Sequence, residues 1–154
     1  MYGLEHVKEF IAGKAGVGFH PTKEETPTVS AAAAALGVRE EQIIKSLVFL
    51  VEGKPFLAIA NGNRRVSYKK LAALLGVGRR QVKLAPRELT RELTGYEGGV
   101  MPPFAHKEKL STLVDRAVLD QELVYGGTGH PRVLLSIQPE ELVRVTGGRV
   151  VDIT

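Results

Sequence analysis

Lys45 is the residue most readily connected with chemistry in this sequence, because it lies inside an apolar run. The run Ile43–Val51 is rich in β-branched and other apolar residues, and it predicts a core strand that is covered on both faces. Side chains alternate along a strand, so Lys45 shares a face with Leu47 and Phe49. An unpaired buried ammonium is costly. Lys45 therefore either snorkels at the strand end or points into a polar ligand site, and the sequence leaves both alternatives open.

Two glycine-rich segments could supply backbone groups to such a site. Gly95–Pro103 contains three glycines and two prolines, and glycine allows the close backbone approach that lets amide N–H groups face an oxygen atom. Gly126–His130 is a second glycine loop, and it lacks the Gly-Lys-Ser/Thr ending of a nucleotide-binding P-loop. An ordinary surface turn is the alternative for Gly98 and Gly99, and a structural role is the alternative for His130.

The basic residues are concentrated in one part of the chain. The segment Arg64–Arg91 contains nine basic residues and one acidic residue, a net charge of +8 against +4 for the whole sequence. Such a segment is typical of a surface that contacts a phosphate backbone. The alternative is an ordinary solvated face. Tyr68 is the only aromatic residue in the segment, so stacking on single-stranded bases is not indicated.

The composition restricts the class of protein. The 154 residues fit one domain, residues 1–154, that can bury a full core. The absence of cysteine excludes disulfides, thiol nucleophiles and thiolate metal sites. The four histidines are far apart, so we expect no metal and no cofactor. No apolar run reaches the roughly 20 residues that span a bilayer, and no signal peptide is recognisable, so we expect a cytoplasmic protein that does not contact membranes.

Apolar periodicity and end signals predict alternating helices and strands. Helices are predicted over 4–15, 68–75 and 86–93, with a short one from Pro139. A further helix starts within Glu25–Thr28, with a Thr cap and proline in its first turn, and runs to Leu36. The predicted strands are Val17–His20, Ile43–Val51, Pro55–Ala60, Gln81–Leu84, Thr112–Val114, Ala117–Leu119, Leu123–Tyr125, Val133–Ile137 and Arg149–Ile153.

Several of these segments together form one ordered pattern. An alanine-rich helix is followed by Lys45-Ser46-Leu47-Val48-Phe49, by Gly95-x-x-Gly98-Gly99-Val100-x-Pro102, and by Gly127-x-Gly129 ahead of Ile137-x-Pro139-x-x-Leu142. Over nearly the whole chain this set resembles the YbaK family and the editing domain of bacterial prolyl-tRNA synthetase. The resemblance implies a compact α/β domain with a mixed, mostly antiparallel, barrel-like sheet flanked by helices.

The resemblance also implies an activity. It points to a free-standing, trans-editing aminoacyl-tRNA deacylase that hydrolyses mischarged tRNA(Pro), with prolyl-tRNA synthetase as a candidate partner; the oligomeric state stays open. It implies that Lys45 is the hallmark site residue and that the glycine loop from Gly95 to Pro102 lines the pocket. From this we expect catalytic roles for Lys45, Gly98 and Gly99, with His130 as a secondary candidate for substrate positioning or proton transfer. We expect substrate contacts by Ser46, Gly95, Val100, Pro102, Gly127 and Gly129. The basic residues expected to face the tRNA are Arg64, Arg65, Lys69, Lys70, Arg79, Arg80 and Lys83.

The chemistry needs a nucleophile and stabilisation of the developing oxyanion. With no cysteine and no evident Ser-His-Asp order, a covalent enzyme intermediate is not expected. Lys45 would bind the terminal phosphate or polarise the ester, and amides of the two glycine loops would supply oxyanion or substrate contacts. The attacking group would be water, or the substrate's own thiol if the amino acid is cysteine.

The resembling domains differ in the amino acid that they remove. Branches acting on alanyl-tRNA tend to have Asn after the lysine and the cysteine branch tends to have Thr, so Ser46 slightly favours cysteine. His130-Pro131 is similar to a pair in alanine-type domains, and both amino acids stay open. The alternative function is a non-catalytic tRNA-binding or synthetase-associated module. A small-molecule hydrolase would leave the basic segment unexplained.

Overall fold

The computed structural model describes residues 2–154, which contain five α-helices and eight β-strands. The helices are α1 (Leu4–Ile11), α2 (Val29–Leu36), α3 (Tyr68–Leu75), α4 (Arg87–Thr94) and α5 (Pro139–Thr146). The strands are β1 (Gly18–Pro21), β2 (Ile44–Val51), β3 (Lys54–Asn61), β4 (Val82–Leu84), β5 (Ser111–Asp115), β6 (Val124–Gly127), β7 (Val133–Ile137) and β8 (Arg149–Val151).

The strands form two sheets. The larger has the order β4-β2-β3-β5-β8 and the smaller the order β1-β7-β6. The pairs β3–β5 and β5–β8 are parallel and the other pairs antiparallel. An isolated bridge between Ile43 and Tyr125 joins the sheets. The predicted α/β class with a mixed, mostly antiparallel arrangement is confirmed, whereas the barrel-like closure is not, because the strands divide into two sheets.

Strand β2 is central because apolar residues cover both of its faces. Val48 is 2% exposed and packs into the main core, which lies between the sheets and α1 and α5. Phe49, also 2% exposed, belongs to a second cluster with Leu71 of α3. Burial on alternate faces is what the uninterrupted apolar run predicted. This packing makes β2 a rigid support for the residues at its start.

Helix α3 begins and ends as its cap residues predicted, and α2 ends at Gly37 as predicted but begins after Thr28, so Pro27 lies outside the helix rather than in its first turn. The Thr28 and Ser67 hydroxyls accept hydrogen bonds from the amides three residues later, at the starts of α2 and α3. Gly37 and Gly76 follow the last residues of these helices in the left-handed conformation, with φ of 68° and 70°, where a side chain would be strained.

The predicted strand Ala117–Leu119 is wrong: Arg116–Asp120 is a 3-10 turn. The cause is the buried carboxylate of Asp115, which accepts from the Ala117 amide at 3.2 Å and from the Ile153 amide at 2.9 Å. The second bond also ends β8 before Ile153, so this strand is shorter than predicted.

Helix α1 ends at Ile11 rather than near residue 15, because the chain turns at Gly13 with φ of 74°. Among residues 2–154, no helix has the length and apolar character needed to cross a membrane.

Candidate functional site

Lys45 lies at the start of β2, opposite Ala60 of β3. Its side chain is half-buried, and its ammonium donates a hydrogen bond to the backbone carbonyl of Arg64, in the loop that follows β3. Burial, and then the positive charge of Arg65, lower the pKa of Lys45 from its ordinary value. The ammonium is therefore partly withdrawn from water and held at a strand end, where a stronger anionic acceptor could displace the carbonyl.

A cavity of about 250 Å³ opens beside Lys45. It is formed where the start of α2, the start of β2, the first glycine loop and strands β6 and β7 meet. Its lining combines apolar side chains with hydroxyl groups, one amine and backbone. Such a mixture suits a small ligand that needs to be both enclosed and oriented. The lining residues are Thr26, Pro27, Thr28, Val29, Ala32, Ile43, Ile44, Lys45, Ser46, Leu47, Gly98, Gly99, Met101, Gly126, Gly127 and Leu134.

A second hollow of about 320 Å³ adjoins this cavity and shares part of its lining. The shared residues include Ser46, Gly98 and Gly99, and the second hollow adds Arg87 and Thr90 of α4. The two glycines therefore border both spaces. A ligand with two parts could occupy both hollows with its central atoms beside Gly98 and Gly99.

The backbone at Gly98 and Gly99 is open to a ligand. Both residues are exposed and belong to a 3-10 turn, Gly98–Val100, whose Val100 amide donates to the Glu97 carbonyl at 3.2 Å. Among residues 2–154, neither the Gly98 nor the Gly99 amide donates a hydrogen bond to a backbone acceptor. These two N–H groups, in residues that line the cavity, are therefore available as donors to a ligand oxygen atom.

The second glycine loop uses its backbone differently. A Cβ on Gly127 would lie 2.6 Å from the Val100 carbonyl oxygen and 2.7 Å from that of Met101, so only glycine allows the two loops to touch. The Gly129 amide donates to the Val100 carbonyl at 2.7 Å. This amide is therefore satisfied within the protein. Its hydrogen bond and the close contact at Gly127 hold the first loop in place, which is the bracing role of the second loop.

Of the ten residues predicted for catalysis or substrate contact, five line the cavity and five do not. Lys45, Ser46, Gly98, Gly99 and Gly127 line it. The other five are Gly95, Val100, Pro102, Gly129 and His130.

The five residues outside the lining have other surroundings. Gly95 ends α4 with φ of 84°, and a Cβ there would meet the Tyr2 ring. The Val100 and Pro102 carbonyls accept hydrogen bonds from within the protein. His130 is exposed, and its Nδ1 accepts from the Arg132 amide at 3.0 Å. Its side chain is therefore engaged with its own loop rather than with the cavity.

The basic segment lies on the surface and begins beside the cavity. All seven residues predicted to face tRNA are exposed, and the segment begins at the Arg64 carbonyl that holds the Lys45 ammonium. Lys70 pairs with Asp152 at 2.9 Å, and Arg79 lies over the Tyr68 ring at 4.4 Å. The other five of these seven residues form no ion pair within the described chain: Arg64, Arg65, Lys69, Arg80 and Lys83.

Comparison with known proteins decides the family. The model of the aminoacyl-tRNA editing domain matches residues 23–145, a stretch that runs from before α2 into α5 and contains Lys45 and both glycine loops. The chain belongs to the aminoacyl-tRNA editing domain family. The resemblance drawn from the ordered motifs is thus confirmed.

Relatives of this editing domain include parts of larger enzymes. The proline–tRNA ligase of Limosilactobacillus fermentum is 36% identical over 103 residues, which are 62% of this chain and 18% of the ligase. That of Desulfitobacterium hafniense is 28% identical over 138 residues, 88% of this chain and 24% of the ligase. The editing domain therefore spans less than a quarter of the length of either ligase.

Solved structures match over almost the full chain. A crystal structure of a proposed trans-editing enzyme for prolyl tRNA synthetase has a TM-score of 0.89 and 31% identity, and the match covers 98% of this chain and 96% of that one. A hypothetical protein also has a TM-score of 0.89, at 35% identity, covering 96% and 98% of the two chains. The fold class is shown by these matches.

Sequence analysis missed the contribution of the segment Thr26–Val29 to the cavity wall. These residues were interpreted only as a helix start. The signal was present in Thr28, whose hydroxyl caps α2, because a capped helix start is also a place where backbone and hydroxyl groups are presented together. Met101, which lines both hollows, was part of the predicted loop but carried no assigned role.

Proposed function

We propose that this editing domain, residues 1–154, is a free-standing, trans-editing aminoacyl-tRNA deacylase that hydrolyses the ester of mischarged tRNA(Pro), with Cys-tRNA(Pro) slightly favoured over Ala-tRNA(Pro). The observation that carries the proposal is that Lys45 and the open amides of Gly98 and Gly99 border one cavity of about 250 Å³. The similarity to proline–tRNA ligases and to a proposed trans-editing enzyme for prolyl tRNA synthetase supports tRNA as the substrate.

The cavity fits the small part of an aminoacyl-tRNA. An alanyl or cysteinyl group has only one or two side-chain heavy atoms and needs little room, and the apolar lining on this side is Val29 and Ala32 of α2 with Leu134 of β7. The adjoining hollow of about 320 Å³ is available to the terminal nucleoside. In this arrangement the ester carbonyl lies between the two hollows, beside Gly98 and Gly99.

The backbone amides provide the electrostatic part of the reaction. When water attacks the ester, the carbonyl oxygen becomes an oxyanion, and N–H donors fixed in advance stabilise this charge more than they stabilise the ground state. Gly98 and Gly99 carry such donors, with no competing acceptor in the described chain. They are the groups that we assign to this role.

Lys45 provides the positive charge. In the structure its ammonium is bound to the Arg64 carbonyl, and a phosphate or a polarised ester oxygen is a stronger acceptor than a neutral amide. We assign Lys45 to the terminal phosphate or the ester of the substrate. The neighbouring exposed cations, among them Arg65, Lys69 and Arg80, would contact the tRNA backbone.

The attacking group comes from outside the protein. The sequence contains no cysteine, so the nucleophile is water or, for a cysteinyl ester, the substrate's own thiol. Ser46 lines the cavity, in keeping with the slight preference for cysteine. His130, the feature that favoured alanine, is exposed and bound to its own loop, so it has no role in this proposal.

The test is hydrolysis of tRNA(Pro) charged separately with cysteine, alanine and proline. The expected result is rapid loss of the cysteinyl or alanyl ester and stability of the prolyl ester, compared with incubation without protein. Equal half-lives of all three esters with and without the protein would refute the proposal.

The second candidate is a non-catalytic tRNA-binding module, favoured by the exposed cations of the basic segment. It predicts tight binding of tRNA with no change in ester half-life. Neutralising Arg79 and Arg80, which lie together in the turn before β4, should then reduce affinity and make it less dependent on salt. Binding and ester hydrolysis measured on the same preparation separate the two candidates.

A further inference from the structure

The first glycine loop is fixed at points that lie outside the cavity. On one side the Gly129 amide donates to the Val100 carbonyl at 2.7 Å. On the other, the imidazole of His106 lies 2.7 Å, through Nε2, from the Pro102 carbonyl oxygen. A carbonyl oxygen only accepts hydrogen bonds, so Nε2 carries a proton and donates. The backbone that presents Gly98 and Gly99 is therefore held at the last residue of its 3-10 turn, Val100, and again two residues further on, at Pro102.

A buried tyrosine brings His106 to this position. The Tyr96 hydroxyl donates to the Ala105 carbonyl at 2.9 Å, and Tyr96 is only 2% exposed. Ala105 has φ of 65°, a left-handed conformation that is uncommon for alanine. This turn directs the next residue back towards Pro102, and the Tyr96 and His106 rings pack edge to face with centroids 6.1 Å apart.

We propose that His106 is a positioning residue for the editing reaction, holding the Pro102 carbonyl so that the Gly98 and Gly99 amides stay directed at the ester. This inference rests on the proposed deacylase function. His106 does not line the cavity beside Lys45. It acts through the backbone of the loop, and the Tyr96 ring packs against the His106 ring.

His106 also borders a separate hollow of about 400 Å³ between α1, the chain after Pro102 and α5. The charged side chains around this hollow are Lys14, Glu108, Lys109 and Arg144. Burial lowers the pKa of His106, which favours the neutral ring that donates through Nε2. The hollow also gives small molecules a route to the position of the ring, and this makes chemical rescue possible.

The experiment compares His106→Ala with His106→Gln, which retains a donor, and with His6→Ala as a control on α1. Deacylation of Cys-tRNA(Pro) and Ala-tRNA(Pro) is measured well below the unfolding temperature of each variant. We expect kcat of His106→Ala to fall about tenfold or more, with KM within about twofold. Activity should return in part in His106→Gln and on addition of imidazole to His106→Ala, while His6→Ala stays at the wild-type level.

A structural readout accompanies the kinetics. Hydrogen exchange of the bonded Val100 and Gly129 amides should accelerate in His106→Ala, while exchange in β2 and β3 is unchanged. If His106→Ala does not fold, His106→Phe, which keeps a ring against Tyr96 but has no donor, replaces it. A wild-type kcat in a folded variant without the donor, or unchanged exchange at Val100 and Gly129, would overturn the inference.

The two proposals fail in different ways. If the wild-type protein hydrolyses none of the charged tRNAs, the proposed function is refuted, and the exchange measurement alone then decides whether His106 holds the loop. If the wild-type protein is active and the variants lacking the donor are equally active, only the role of His106 is refuted.

Discussion

The two glycine-rich loops, Gly95–Pro103 and Gly126–His130, resemble each other in composition but use their backbones for different purposes. In the first, the amides of Gly98 and Gly99 meet no acceptor in the described chain. In the second, the Gly129 amide is bound to a carbonyl of the first loop. A glycine can therefore leave its N–H available to a ligand, or it can let two chain segments come into contact. Which of the two occurs depends on whether a neighbouring segment packs against it.

The largest expected effect comes from removing one open amide. Gly98→Pro deletes the N–H, and proline fits the first position of a 3-10 turn because Glu97 before it is already extended, with φ of −70° and ψ of 139°. We expect kcat for the mischarged ester to fall about a hundredfold, with an unchanged melting temperature.

The matched control is Gly98→Ala, which keeps the N–H. A Cβ at this position meets no atom within 4 Å, so we expect near wild-type activity and stability. Equal single-turnover rates for the proline and alanine variants would show that the Gly98 amide takes no part in the reaction.

A substitution in the second loop should act on stability instead. Gly127→Ala would place its Cβ against two backbone carbonyls, of Val100 and Met101, and backbone has little freedom to move aside. We expect the free energy of unfolding in urea to fall by about 1–3 kcal/mol.

Gly99→Ala provides the comparison in the first loop. Its Cβ would meet nothing within 4 Å, so the free energy of unfolding should change by less than about 0.5 kcal/mol. Equal stability of the Gly127→Ala and Gly99→Ala proteins would contradict the bracing role assigned to the second loop.

The supports of the two loops should also differ in their response to pH. The first loop is tied down by His106, whose pKa is lowered from 6.5 by burial. The second is tied by the Thr128 hydroxyl, which donates to the Val133 carbonyl at 2.7 Å and does not titrate. Because the unfolded chain binds a proton on this histidine at a higher pH than the folded one, its contribution is complete above about pH 6.5 and is lost as the pH falls.

Urea unfolding at a series of pH values measures this difference. Between pH 7 and lower values the wild-type protein should lose more stability than His106→Gln, whose amide does not titrate. The same series on Thr128→Val should parallel the wild type. A steeper pH dependence in His106→Gln than in the wild type would show that the sign is wrong.

The smallest effect is expected for His130→Ala, also in the second loop. His130 is exposed, and its ring accepts only from the Arg132 amide in the same turn. We expect stability to change by about 0.5 kcal/mol or less and the deacylation rate to stay within about twofold. A large loss of kcat would restore the catalytic role that the resemblance implied for this residue.

Local signals made much of the fold predictable from sequence. The Ser67 cap, the glycines that end α2 and α3, and the apolar run of β2 each act on residues close by in the sequence, so the predicted bounds at these places are nearly correct. The predicted strand at Ala117–Leu119 failed because the Asp115 carboxylate accepts from the Ala117 amide and starts a 3-10 turn. The predicted extension of β8 to Ile153 failed because Asp115 also bonds to the Ile153 amide, 38 residues further along the chain. Contacts across that separation leave no local pattern.

The residues of the candidate site also divide into those that the sequence could predict and those that it could not. Lys45 and the Gly98-Gly99 pair were predictable, because a charge in an apolar strand and adjacent glycines are visible in the sequence. The state of the Gly129 amide was not, because its acceptor, the Val100 carbonyl, lies in the other loop. The position of His106 was missed for a further reason: it depends on the left-handed turn at Ala105, a residue type that gives no signal for that conformation.

The most direct test of the account is single-turnover hydrolysis of Cys-tRNA(Pro) by wild-type protein, by Lys45→Ala and by Lys54→Ala. Lys54 is an exposed lysine at the start of β3 and serves as the matched control. The account predicts that Lys45→Ala is folded, with unchanged circular dichroism, and loses deacylation by at least about a hundredfold, while Lys54→Ala stays at the wild-type rate. Full activity in folded Lys45→Ala would contradict the account, because the cavity would then work without the one amine among the described residues that line it.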